Sequence, residues 1–257
     1  MKTVTLALKQ ARFDNRAFWR NPAAAFFTFV FPLMFLVIFN VVFQSNDIEV
    51  PGGTVDTSTF YVPGITALSV ISACYTNIAM GIVFSRDEGL LKRVRGTPLP
   101  PLSFILGRII QATWVAILLV VIILAFGVVF YSVDVQSEKL PAFIVTLVFG
   151  AVCFSALGLA VSSLVPNADA APAIIQASVL PLLFISNVFI PTSQAPGWLT
   201  DFASIFPVAH FAGALHTAFN PFESGNGFEA MDLLVMAIWG VGAAVVAARF
   251  FVWEPKR

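Results

Sequence analysis

Long stretches of apolar residues follow one another along most of this chain, and charged residues stand almost only between them. A helix of about 20 apolar residues is long enough to cross the hydrocarbon core of a bilayer. Arg108 and Arg249 are the charged residues inside the stretches, and each lies near an end, where a long side chain reaches the interface. We therefore predict six transmembrane helices, at residues 23–43, 60–84, 104–131, 140–165, 172–190 and 233–252.

The composition agrees with a membrane protein of the all-α class. Hydrophobic residues make up 58% of the chain and charged residues 11%, whereas a soluble domain carries about 25% charged residues. The formal net charge of zero argues against nucleic acid as a partner. Cys74 and Cys153 both fall in apolar stretches, where a thiol acts as a small hydrophobic group, and no Cys-x-x-Cys pair suggests a metal site.

The positions of lysine and arginine predict the orientation of the helices. With six spans and a cytoplasmic N-terminus, every lysine and arginine except Lys139 falls on the cytoplasmic side, as the positive-inside rule requires. The first stretch is too long for the apolar part of a signal peptide and no small-residue cleavage site follows it, so we expect it to remain as a span. The sequence thus predicts a plasma (inner) membrane protein with both termini in the cytoplasm.

Two segments outside the predicted spans are also partly apolar. One helical face of residues 1–20 is apolar and the rest carries basic residues, which is typical of a helix lying on the inner leaflet. The apolar positions are Val4, Leu8, Ala11 and Phe18. Residues 191–232 are too apolar for a solvated loop and are broken by prolines, while a seventh span would place the basic C-terminus outside. Because irregular backbone at membrane depth must be covered by protein, we expect two short re-entrant helices there.

The chain lacks the sequence motifs of several enzyme and transporter classes. Neither HExxH nor GxSxG occurs, which argues against an intramembrane hydrolase, and without GxxxxGK[ST] we expect no ATP binding by this chain. The predicted spans contain no Asp, Glu or His, although ion-coupled carriers use such groups. His210 and His216 are six residues apart, which does not place them on one helical face. We therefore predict no catalytic residue, no metal site and no cofactor bound by this chain.

A few polar side chains interrupt the predicted spans and allow two interpretations. In lipid, such groups commonly form hydrogen bonds between helices. Alternatively, they line a substrate path between subunits, together with an aromatic side chain. The candidates for such a path are Asn77, Gln111, Gln176, Phe184 and Asn187. The sequence leaves both interpretations open.

The cytoplasmic loop at residues 85–101 combines features that a lipid-bound basic loop does not need. Ser85 followed by Glu88 fits a capping box, so a helix is predicted to begin there. Acidic residues in its first turn and basic residues near its end match the helix dipole, and leucine and valine give it an apolar side. A proline-rich stretch ends it. A short rigid helix of this kind is suited to dock on a cytoplasmic partner.

The order of these features resembles the permease subunits of ABC-2 type transporters, especially the drug-export branch typified by daunorubicin-resistance permeases. The resemblance covers nearly the whole chain. It is carried by Tyr61-Val62-Pro63-Gly64-Ile65, Arg86-Asp87-Glu88-Gly89 with Thr97-Pro98-Leu99, Leu180-Pro181-Leu182-Leu183-Phe184-Ile185-Ser186-Asn187, Phe189-Ile190-Pro191 and Phe206-Pro207-Val208-Ala209-His210. The chain departs from the family pattern at three positions, where the family often has glycine, asparagine and arginine: Asn187, Phe206 and His216.

The resemblance implies a fold, partners and site residues. The fold is that of ABC-2 exporters, and the partners are a second copy or a sister permease in a dimer and a separate cytoplasmic ATPase, which binds ATP and Mg²⁺. The loop at residues 85–101 is then the coupling helix, residues 1–20 lie at the interface, and residues 191–232 dip back into the membrane. The residues implied in ATPase coupling are Arg86, Asp87, Glu88, Gly89, Leu90, Leu91, Arg93, Thr97 and Pro98.

The leading functional hypothesis is the permease subunit of an exporter for an amphipathic, drug-like or lipid-like compound. Membrane lipid and the small substrate would be its further partners. A non-transporting membrane anchor or assembly factor that recruits a cytoplasmic protein is the main alternative, and an ion-coupled carrier is a third. The direction of transport follows from the resemblance alone.

Overall fold

The computed structural model describes residues 2–43, 47–134, 136–191 and 195–254, and helices dominate this part of the chain, as predicted. Residue 1 of the predicted interfacial helix, residues 192–194 of the outer segment and the basic C-terminal residues 255–257 lie outside these ranges. The elements are α1 (Lys2–Trp19), α2 (Pro22–Val42), β1 (Ile48–Val50), β2 (Gly53–Val55), α3 (Thr57–Ile71), a π-helical turn (Ser72–Thr76), α4 (Asn77–Asp87), α5 (Leu90–Arg95), α6 (Pro101–Tyr131), α7 (Leu140–Leu164), α8 (Ala171–Ile185), α9 (Gly197–Ala203), α10 (Pro207–Phe219) and α11 (Ala230–Phe250).

Among the described residues, five helical segments are long and apolar enough to cross a membrane. They are α2, the continuous segment Thr57–Asp87 formed by α3, the π-helical turn and α4, and then α6, α7 and α11. This confirms the prediction of an all-α membrane protein. The antiparallel hairpin of β1 and β2, in which Ile48 pairs with Val55, was not predicted.

The fifth predicted span, at residues 172–190, differs from the other five. Its helix, α8, is 15 residues long, which gives about 22 Å of helix against a hydrocarbon core of about 30 Å. The residues that follow leave the helical path, because Asn187 has a left-handed backbone conformation with φ of 60°. Asparagine tolerates this conformation better than most residues do. A sixth complete span therefore stays a prediction.

The outer segment contains two short helices, α9 and α10. Between them, at residues 204–206, the chain bends by 100°. Pro207 begins α10, where a proline removes no hydrogen bond, since the first N–H groups of a helix have no helical acceptor. Trp239 of α11 donates from Nε1 to the carbonyl oxygen of Ile205 at 2.9 Å. The bend is thus held against the last long helix, while its depth in the outer leaflet stays a prediction.

α3 and the π-helical turn form the centre of the molecule. Almost every side chain of α3 is buried, and its neighbours include α2, α6, α7 and α10. Two glycines permit close backbone approach here: a Cβ on Gly64 would lie 2.5 Å from the carbonyl oxygen of Val188, and one on Gly158 would lie 2.6 Å from that of Tyr75. Small residues suit such contacts in a membrane, where helices are held together largely by close packing.

We expect a side chain at Gly158 to destabilise the protein. In Gly158→Leu the new atoms would overlap the main chain of the π-helical turn, and overpacking of this kind costs about 1–3 kcal/mol. Gly242→Leu is the matched control, because no neighbouring part of the chain lies within 4 Å of a Cβ at that position. Thermal unfolding in detergent should give a lower midpoint for Gly158→Leu than for Gly242→Leu. Equal midpoints would contradict the packing described here.

Candidate coupling site

Residues 85–101, the coupling segment, form a helix end, a turn, the short helix α5 and a proline-rich exit. The capping-box prediction is wrong, because α4 continues past Ser85, and the Ser85 hydroxyl accepts a hydrogen bond from Nη2 of Arg108 at 3.0 Å. The chain turns at Gly89, whose φ of 72° is left-handed and favours glycine. The N–H of Gly89 donates to the carbonyl of Arg86 at 3.0 Å, a common way of ending a helix. The helix after the turn is therefore shorter than predicted.

α5 presents one of its two leucines to the outside. Leu90 is 43% exposed, whereas Leu91 is fully buried. The hydroxyl of Thr97 donates to the carbonyl of Val94 at 2.7 Å and fixes the end of α5. Of the nine residues implied in coupling, Arg86 and Leu91 face into the protein, which corrects the expectation that Leu91 packs on a partner. The exposed ones are Glu88, Leu90, Arg93, Thr97 and Pro98.

Arg86 is the charged group that fixes the position of the coupling segment. It lies in the last turn of α4 with 1% of its side chain exposed. Its guanidinium donates to three carbonyl oxygens: Ser162 at 3.2 Å, Val165 at 2.9 Å and Pro166 at 3.0 Å. These carbonyls stand at the C-terminal end of α7, where a helix has unpaired acceptors and partial negative charge. Arg86 therefore caps α7 from a neighbouring helix.

Asp87 continues this connection to the chain that follows α7. One carboxylate oxygen accepts from Nε of Arg86 at 3.3 Å, and the other accepts from the backbone N–H of Ala168. Ala168 lies in the short link between α7 and α8. Two adjacent residues, Arg86 and Asp87, thus join the end of α4 to α7 and to the link before α8. The carboxylate of Asp87 accepts its hydrogen bonds from within the chain.

A second arginine, Arg108 of α6, links the coupling segment to α1. Its Nη2 donates to Ser85, as described above, and its Nε lies 3.7 Å from a carboxylate oxygen of Asp14 in α1. The other oxygen of Asp14 accepts from Gln10 at 3.0 Å. Burial raises the pKa of Asp14 above its usual value, and the nearby Arg108 and the hydrogen bond from Gln10 oppose this shift. The N-terminal helix is thereby connected through Arg108 to Ser85 at the start of the coupling segment.

The five candidate residues of a substrate path are not brought into one cavity. Asn77 is exposed just after the π-helical turn and lines a cavity of about 70 Å³ with several hydroxyl side chains, among them Ser72. Gln111 is 7% exposed and lies within the helix bundle. Gln176 and Phe184 are exposed on α8. Asn77 and Gln176 are thus the two polar candidates that face outward from membrane helices.

Asn187, the fifth candidate, lies at a different cavity on the predicted outer side. Its carbonyl oxygen accepts a hydrogen bond from Nε2 of His216 at 2.8 Å. The cavity has a volume of about 320 Å³, close to the lower limit for small-molecule sites. Its polar lining comprises Thr59, Asn187, His216, Thr217, Asn220, Glu223, Glu229 and Asp232. These residues come from four separate segments, so no local sequence pattern indicated that they lie together.

Two further polar side chains near this cavity make contacts that were not predicted. Lys139, the one basic residue expected outside, is 2% exposed and donates to the carbonyls of Thr217 at 3.1 Å and Asn220 at 2.8 Å, at the end of α10. His210 lies between Asp232 and the carbonyl of Ser204, at 2.7 Å from each. For the Lys139 contacts, the available sequence signal was a single lysine among the acidic residues expected on the outer side. Within the described ranges no three His, Cys, Asp or Glu side chains could hold a metal ion.

Comparison with known proteins connects the chain to a transporter family. The profile of the ABC-2 type transporter family matches residues 9–220. A putative transport permease, ycf38, of Pyropia yezoensis is 27% identical over 195 residues, which is 75% of this chain and 66% of the relative. A probable multidrug ABC transporter permease, YbhR, of Escherichia coli K12 is 25% identical over 156 residues, 61% of this chain and 42% of the relative.

A third relative is a daunorubicin resistance ABC transporter permease protein, DrrB1, of Streptomyces coeruleorubidus, which is 27% identical over 209 residues, 77% of this chain and 69% of the relative. The chain spans less than two thirds of the length of the first two relatives. The family profile itself covers most of the chain, from the middle of α1 to the end of α10. The chain therefore belongs to the ABC-2 type transporter family.

Proposed function

We propose that this chain is the permease subunit of an ATP-binding cassette exporter, driven by a separate cytoplasmic ATPase that docks on the coupling segment. The observation that carries the proposal is a short exposed helix held in place by a buried arginine. Glu88, Leu90 and Arg93 offer an acidic, an apolar and a basic group to a partner, and a mixed surface of this kind is typical of transient protein interfaces. ATP and Mg²⁺ would bind to the partner, and this chain would hold no cofactor.

The Arg86 contacts supply a route by which movement of the ATPase reaches the membrane helices. A displacement of α5 acts on the end of α4, and Arg86 and Asp87 join this end to α7 and to the link before α8. Charge-assisted hydrogen bonds are stronger than neutral ones, so we expect these elements to move together. Arg86 is in this scheme a positioning residue, and the exposed residues of the coupling segment make the contact.

The substrate path in this proposal runs along the outward faces of α4 and α8 and is completed by a second permease copy or a sister permease. Asn77 and Gln176 are exposed there, and polar groups facing lipid are costly unless a partner or substrate covers them. Tyr75 and Ser178, whose hydroxyl oxygens are 2.6 Å apart, tie α8 to the π-helical turn beside them. An amphipathic, drug-like or lipid-like compound fits a path that is largely apolar with a few polar groups, and the names of two relatives point to drug export.

The proposed location is the plasma membrane, with both termini in the cytoplasm. In this orientation the coupling segment and α1 face the ATPase side, and the cavity around Asn187 faces outward. A non-transporting membrane anchor is the second candidate, because it would use the same exposed α5. ATP hydrolysis by the purified complex distinguishes the two candidates. For an exporter we expect hydrolysis that rises with substrate, and for an anchor we expect hydrolysis that does not.

Removal of the Glu88 carboxylate is expected to weaken coupling to the ATPase. A minority of interface residues cost more than about 1 kcal/mol, or about fivefold in affinity, when they are truncated, and we assign Glu88 to this minority. We expect Glu88→Ala to lower transport-coupled ATP hydrolysis to this extent, while the protein still inserts into the membrane. Glu49→Ala is the control, because Glu49 is exposed in the hairpin that lies on the outer side in this orientation. Wild-type coupling in Glu88→Ala would refute the docking surface.

Replacement of Arg86 by a residue of similar length without donors is expected to lower both stability and coupling. Arg86→Met leaves the carbonyls of Ser162, Val165 and Pro166 without this donor, and a buried unpaired polar group costs about 1–3 kcal/mol. Arg95→Met is the matched control, since Arg95 is exposed on α5. The unfolding midpoint in detergent should fall for Arg86→Met and stay unchanged for Arg95→Met. If both variants unfolded at the wild-type temperature, the hydrogen bonds of Arg86 to the end of α7 would not contribute to stability.

A further inference from the structure

The outward face of α1 carries a row of four cations. Lys9, Arg12, Arg16 and Arg20 follow one another at spacings of three and four residues, which places them along one side of the helix and its end. All four are exposed. We call this set the basic stripe. Across the ranges that the structure describes, no side chain of the basic stripe has a hydrogen-bond or ion-pair partner.

The opposite face of α1 packs against the rest of the protein. Ala7 and Ala11 are buried against α6, and a Cβ on Gly107 would lie 2.7 Å from the side chain of Gln10. The only acid of α1, Asp14, is on this face beside Arg108. No acid of α1 therefore neutralises the basic stripe, and its field is directed away from the protein.

The height of α1 relative to the membrane follows from its contacts. The hydroxyl of Ser103 donates to the carbonyl of Thr3 at 3.1 Å, and Asp14 lies beside Arg108. α1 therefore crosses the first turns of α6, just where that helix starts its run of apolar residues. α2 starts directly after α1. Both neighbours enter the membrane at this level, so α1 lies at the boundary between hydrocarbon and headgroups.

Apolar side chains stand next to the basic stripe. Val4, Leu8 and Trp19 are 58%, 55% and 48% exposed, and the ring of Trp19 stacks on Phe29 of α2 at 5.5 Å. Tryptophan is enriched at the membrane interface, where one side of the ring is apolar and the other is wet. A helix with an apolar row beside a basic row binds a lipid surface with the apolar row inserted and the cations on the headgroups.

We infer that the basic stripe is a binding surface for anionic phospholipid headgroups of the cytoplasmic leaflet. The inference rests on the proposed orientation, in which α1 is cytoplasmic. Each cation near an anionic leaflet is worth about fivefold in binding. The surface selects lipids by charge and not by acyl chain, because the groups that meet the headgroup are the exposed ends of lysine and arginine.

The test is lipid selectivity of the purified permease alone. The chain is reconstituted in nanodiscs of equal phosphatidylglycerol and phosphatidylcholine with the same acyl chains, extracted gently, and its retained lipids are counted by mass spectrometry. We expect enrichment of phosphatidylglycerol in the wild type and a loss of at least about fivefold of that enrichment in the double variant Arg12→Gln/Arg16→Gln. Lys9→Gln/Arg20→Gln tests the same stripe through its other two members. Unchanged unfolding midpoints show that each variant is folded.

A matched control removes the same charge elsewhere. Lys92→Gln/Arg95→Gln takes two exposed cations from α5 and should keep the wild-type enrichment. Equal loss in this control, or wild-type enrichment in both stripe variants, would overturn the inference. So would a stripe variant that keeps its lipids but no longer co-purifies with the ATPase, because the stripe would then be a protein contact. Failure of the wild-type permease to bind any ATPase would refute the proposed function and leave the lipid measurement unaffected.

Discussion

Unpaired carbonyl groups at the end of a buried helix need donors, and the structure depends on how this need is met at the end of α7. Arg86 supplies three hydrogen bonds from a different helix. Ser162 and Val165 are buried, and an unsatisfied backbone group at such a position would be costly. Asp87, next to Arg86, joins this end of α4 to the link before α8, and the turn at Gly89 then leads into α5. The geometry of the coupling segment is therefore a consequence of helix capping.

A second helix end, at the opposite end of the bundle, is capped in the same way. Lys139 is buried and donates to the carbonyls of Thr217 and Asn220 at the end of α10. In both places a cation meets the negative end of a helix dipole and its free acceptors at once. A charge that is enclosed by the chain is tolerated because its hydrogen bonds are made. The two caps fix one helix end on each side of the bundle, and α3 with its π-helical turn lies between them.

The span pattern was predictable because apolar length is a local property of the sequence. The role of Arg86 was not, since its three acceptors lie 76 to 80 residues further along the chain. Local rules also gave a wrong helix start at Ser85: the capping pattern is present, but Arg108 of α6 takes its hydroxyl. The length of α8 depended on the left-handed conformation of Asn187, whose carbonyl oxygen accepts a hydrogen bond from His216 of α10. In each case a contact distant in sequence decided the local structure.

In the proposed function an ATPase docks on α5, which Arg86 holds in place. Site-specific photo-crosslinking detects this contact, with a photoreactive amino acid in place of Leu90 in one variant and of Trp198 in another. Both positions are exposed, at 43% and 71%, but in the proposed orientation they lie on opposite sides of the membrane. We expect a crosslink to the ATPase from position 90 and none from position 198. A crosslink from position 198, or none from position 90 while the ATPase co-purifies, would show that the ATPase does not dock on α5.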